Sequence, residues 1–191
     1  FVDGDGDFVF NASEMGQLET NDKEGRDVMI QIPAVSWLEN EGDQTVGAAT
    51  KALLPDPVAR IQLDDFVSKH VRQGSERIKS ENFPIPNSFV KEQFEQRVHD
   101  YENAIADLQI ISVLLARWAN ADQAFLLEKI FSRLGELERP GGGLTVYLGL
   151  SWYPVHLLLY SAGIAALSVR KFEILRSIFL APIRIEHRTG L

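Results

Sequence analysis

Between residues 94 and 115 apolar side chains return at alternating intervals of four and three: Phe94, Val98, Tyr101, Ile105, Leu108 and Leu115, with Ser112 standing where the next one is due. This is the heptad period of a helix that keeps one stripe against a partner. It predicts a helix over residues 88–119, roughly 48 Å long at about 1.5 Å per residue. Asn87 is expected to cap its start and Asn120 to end it. Ile110, Ile111, Val113 and Leu114 widen the apolar face, so the C-terminal half is expected to be the more deeply buried.

Shorter helices are predicted on both sides. Asp56-Pro57 suits an N-cap followed by a first-turn proline. Leu63, Phe66, Val67, His70 and Val71 follow at helical spacing, until Phe83-Pro84-Ile85-Pro86 stops the element. Phe125, Leu126, Ile130, Leu134 and Leu137 predict a further helix ending at Pro140-Gly141-Gly142-Gly143. Residues 144–169 contain no Asp, Glu, Lys or Arg, which raises the question of a membrane span. Pro154 divides that run, and a helix over residues 154–169 reaches only about 24 Å against a hydrocarbon core of roughly 30 Å. A central core helix is expected instead, apolar all round and therefore enclosed, with Ile105, Leu108 and Leu115 packed on it. Gly163, Ala162, Ala165 and Ala166 would let a neighbour approach closely. Phe172, Ile174, Leu175, Ile178 and Phe179 predict a last amphipathic helix before Pro182.

The first third of the chain follows another rule. Asp3-Gly4-Asp5-Gly6 between Phe1-Val2 and Asp7-Phe8-Val9-Phe10 is a hairpin signal. Ala12 to Arg26 is a polar connector, Asp27 to Ile32 reads as a strand closed by Pro33, and Glu39 to Thr50 reads as a loop. The fold class expected is mostly α: a helical bundle around a long central helix, with a small N-terminal β-hairpin or strand segment. The divisions are a β-rich, acidic, partner-dependent segment over 1–56, the bundle over 57–182 and a tail over 183–191.

Charge sharpens that division. Of 27 acidic groups, 11 lie in residues 1–50 beside only Lys23 and Arg26, giving −9 there. Residues 51–191 carry 16 acids and 17 bases, so the bundle is close to neutral. A phosphate backbone calls for a basic stripe, and the candidates are Arg170, Lys171 and Arg176, with Arg184 and Arg188 beyond them. A solvated helix face is the blander reading of the same residues. The chain has no cysteine, which excludes disulfides and thiolate metal sites and points to a cytoplasmic setting. It opens on Phe1 without Met or a signal peptide and ends at Thr189-Gly190-Leu191, as expected of a piece of a longer protein.

Other chemistry is sparse. Asp3, Asp5, Asp7 and Glu14, with Asn11, are spaced like the oxygen ligands of a calcium loop. Phe8 stands where that loop needs glycine, which favours a hairpin turn. His70, His99, Asp100 and either Asp107 or Asp122 are the residues an HD-type metal phosphohydrolase would bring together. Gly149-Leu150-Ser151 lacks the second glycine of a nucleophile elbow, and Gly141-Gly142-Gly143 lacks the GK[ST] of a phosphate loop and reads as a flexible linker. Trp118, Trp152, Tyr153 and Tyr160 have the chemistry to stack on bases but are expected in the core. No catalytic residue and no cofactor are assigned.

The run Trp152-Tyr153-Pro154-Val155-His156-Leu157-Leu158-Leu159-Tyr160-Ser161-Ala162-Gly163-Ile164-Ala165-Ala166-Leu167, with Arg97-Val98-His99-Asp100-Tyr101-Glu102 before it, resembles the C-terminal helical region of bacterial multidomain proteins. Those proteins carry an N-terminal Schlafen-type, Alba-like DNA-binding domain. The resemblance covers about residues 60–182 and transfers no functional residue. It implies that nucleic acid is met through the parent protein and that the role lies in defence against phage. The residues themselves point to a non-catalytic helical sensor, scaffold or assembly module that binds a protein partner or itself, with no membrane span. The alternatives are a nucleic-acid-binding accessory domain and an HD-like metal hydrolase.

Overall fold

The computed structural model describes residues 17–21, 27–31 and 41–182. The chain divides into two compact units, residues 1–45 and 46–191. In the first, β1 (Gln17–Asn21) pairs antiparallel with β2 (Asp27–Gln31), Gln17 opposite Gln31 and Asn21 opposite Asp27. β1 lies in the stretch read above as a polar connector. The hairpin expected at Phe1–Phe10 lies outside the described residues.

Mostly helical architecture is what the second unit shows. α1 (Glu41–Leu53) replaces the loop expected up to Thr50. Its pattern misled because its packing residues are small. A methyl on Gly47 would stand 3.6 Å from Ile110 Cγ2, and Thr50 is fully buried with its hydroxyl donated to Val46 O at 2.8 Å. Asp56 then accepts from Val58 N at 2.9 Å, capping a short 3₁₀ turn (Pro57–Ala59) that leads into α2 (Arg60–Arg77). α2 buries Leu63, Val67, His70, Val71 and Gly74. Asn82 closes its far end by donating to Glu76 O and Arg77 O.

The long helix is α3 (Lys91–Trp118), 28 residues and roughly 42 Å. Asn87 does not cap it. The N-cap is Val90, which offers no side-chain oxygen. Phe89 and Phe94, on either side of that cap, instead lie 5.8 Å apart and both meet Tyr147. An apolar staple therefore fixes the start of the helix where a polar cap was expected. The seam is buried from Tyr101 through Ile105, Leu108, Ser112 and Leu115, and Ile110, Ile111 and Leu114 extend it at the C-terminal end. Phe94 and Val98 are only half-buried.

Asn120 and Gln123 form a reciprocal capping box, and Gln123 also donates to Leu54 O at 3.0 Å. α4 (Phe125–Gly135) follows, and Arg139 Nη2 donates to Leu134 O at 2.8 Å. α5 (Thr145–Leu150) is a short helix with no counterpart in the sequence reading. α6 (Tyr153–Ser168) starts with Pro154 in its first turn, as expected, and α7 (Phe172–Phe179) completes the bundle. α3 touches α2, α4 and α6, while α7 lies on α4 and α6. Among the described residues no helix is long and apolar enough to cross a membrane.

Where α2 crosses α3, Gly74 faces Leu108; a Cβ there would stand 2.5 Å from Leu108 Cδ1. Leu108→Ala is expected to cost about 2–5 kcal/mol in urea unfolding. Gly74→Ala should destabilise the parent chain and do so less in the Leu108→Ala background, where the added methyl enters vacated space. Additive costs would show that the two positions do not meet.

Candidate functional site

The basic residues expected to meet nucleic acid build the turn between α6 and α7. Arg170 has φ 55°, and the turn is closed by Arg170 N donating to Leu167 O and Lys171 N to Ala166 O. That is a Schellman ending with arginine in the left-handed position usually held by glycine. Lys171 Nζ donates to Ala119 O at 2.7 Å, capping the C-terminus of α3, and burial lowers its pKa. Both line a cleft of about 530 Å³ with residues 119–121 and 172–174. Arg176 is exposed on α7.

The candidate metal and hydrolase residues do not converge. His70 Nδ1 lies 3.3 Å from Asp107 Oδ2, out of line for a hydrogen bond. His99 pairs with Glu102 at 3.1 Å, Asp100 accepts from Gln96, and Asp122 pairs with Arg60. Among the described residues no three His, Asp or Glu side chains are placed to hold a metal ion. Asp3, Asp5, Asp7 and Glu14 lie outside the described residues. Ser151 is buried, and its hydroxyl donates to Leu148 O, which is a turn contact. Gly143 is no loose linker: at φ 126° a Cβ would stand 2.6 Å from Ile85 Cγ2, so two loops close against each other there.

Sequence reasoning missed an arginine–aromatic cluster at one end of the bundle. Phe83 stacks on Tyr101 at 4.0 Å, Arg97 lies over Tyr147 at 4.8 Å, and Arg139 over Trp152 at 4.5 Å. Arg97 donates to Phe83 O and Pro84 O, fastening the loop that enters α3. Tyr153 donates to Glu102 at 2.6 Å, and burial is the main reason its hydroxyl pKa is raised. Each guanidinium ties a backbone carbonyl to a ring, so the cluster is accounted for by loop fastening. A cleft of about 610 Å³ between α2 and α4 carries Arg72, Lys129 and Arg133 beside Glu76 and Glu136. Lys129 is already engaged with Asp64 and Ser68.

The feature that stands apart is on α6. It was expected to be enclosed on all sides, and it is not. Its inner face uses small residues, Ser161, Ala162, Ala165 and Ala166, all buried. Gln109 of α3 donates to Ser161 Oγ at 2.7 Å across this contact. Val155 and Leu158 are buried in the first half of the helix, whereas in the second half the large residues are left outside. Tyr160 is 70% exposed, Ile164 42% and Leu167 51%, and on the next helix Phe172 is 63% and Phe179 65% exposed. Gly163 is buried, and a Cβ on it would stand 3.8 Å from Leu175 Cδ1 of α7. Phe172 and Phe179 lie one turn either side of Leu175. Trp118 is likewise exposed, against the expectation of core, while Trp152 and Tyr153 are half-buried.

Comparison with family models, with curated proteins and with solved structures gives no match.

Burial holds the His70 imidazole below its ordinary value of 6.5; Asp107 opposes that shift, while Lys69 and Arg77 add to it. A pKa depressed by folding gives stability that is present above the unfolded value and is lost as pH falls. Unfolding free energy should therefore decline as the pH drops from about 6.5 to 5, and His70→Gln should flatten that decline. An equal slope in the variant would assign the effect to other groups.

Proposed function

We propose that this chain is a non-catalytic helical scaffold or assembly module that works by docking a protein surface against the α6–α7 face. The observation that supports this is the inversion of the second half of α6: small side chains inside, and Tyr160, Ile164 and Leu167 outside, with Phe172 and Phe179 also exposed on α7. Large apolar side chains exposed together on one helix face mark an interaction site in a folded protein. The scattered acid and histidine pairs support no competing chemical role. A role within a larger cytoplasmic bacterial protein that carries an Alba-like DNA-binding domain, and acts against phage, belongs to the same proposal and rests on the resemblance in the α3 and α6 sequences. Nucleic acid would then be met by the parent protein. Within this chain Lys171 is spent on capping α3.

The test substitutes the face and reads the fold. Leu167→Glu with Phe179→Glu should change unfolding free energy by no more than about 0.5 kcal/mol per site, as exposed positions do. Fluorescence of an apolar dye bound to the chain should fall. A loss of several kcal/mol would show that this face is part of the chain's own core, and the docking reading would be abandoned. Salt-sensitive DNA binding lost on changing Arg170 and Arg176 would promote the nucleic-acid reading instead.

A further inference from the structure

We draw no further inference here: the strongest candidate, the apolar surface patch of Tyr160, Ile164 and Leu167 on the outer face of α6, carries none beyond the docking reading, because nothing in the structure shows what covers it.

Discussion

The close approach of α6 to α3 is the constraint on which the rest of the bundle depends. Gln109 is buried on α3 and must have a partner, because an unsatisfied buried amide costs about 1–3 kcal/mol. It finds one in Ser161, whose hydroxyl is donated onward to Leu157 O at 2.6 Å. That chain of bonds fixes both the distance and the register of the two helices. On the adjacent side of α3, Gly74 of α2 leaves the space that Leu108 fills. Small residues on the neighbours therefore let the large residues of α3 be enclosed. Ile105, Leu108, Ile111 and Leu115 are buried as a result.

The same constraint decides what α6 shows to solvent. Beyond Leu158 the inner face of α6 is Ser161, Ala162, Ala165 and Ala166, which bury little area of their own. The bulky apolar residues of that half, Tyr160, Ile164 and Leu167, fall on the outer face, where an ordinary surface helix is polar. α7 buries Ile174 and Ile178 and still leaves Phe172 and Phe179 exposed. Local packing thus generates an outward apolar surface, and that surface is the strongest statement the fold makes about function.

Much of the bundle was legible in sequence, because period and punctuation report directly on it. The α3 seam, the Asp56-Pro57 start and the place of Pro154 all rest on local rules. α1 was missed because Gly47, Ala49 and Thr50 pack by being small, which no hydrophobic period records. The start of α3 was misplaced because Phe89 and Phe94 meet only once Tyr147 has been brought to them from 53 residues further on than Phe94. The arginine–aromatic cluster was invisible for the same reason, since Arg97, Arg139 and Trp152 are joined by tertiary contacts alone. The open face of α6 was illegible in a deeper sense. A helix that is apolar on every side gives no sign of which side is inside, and the usual inference, that it is wholly enclosed, was wrong by half a turn. The calcium-like spacing near the N-terminus gains nothing from this, because it lies outside the described residues.

Thiol reactivity tests the central claim most directly, and the absence of native cysteine makes it clean. Single cysteines at Ile105 and at Leu167 would be labelled in dilute, monomeric protein. Packing as described predicts that Leu167→Cys reacts within about tenfold of an unfolded reference, while Ile105→Cys reacts only through global opening, orders of magnitude more slowly. Equal protection at the two positions would contradict it, because the outer face of α6 would then be closed by the chain's own fold.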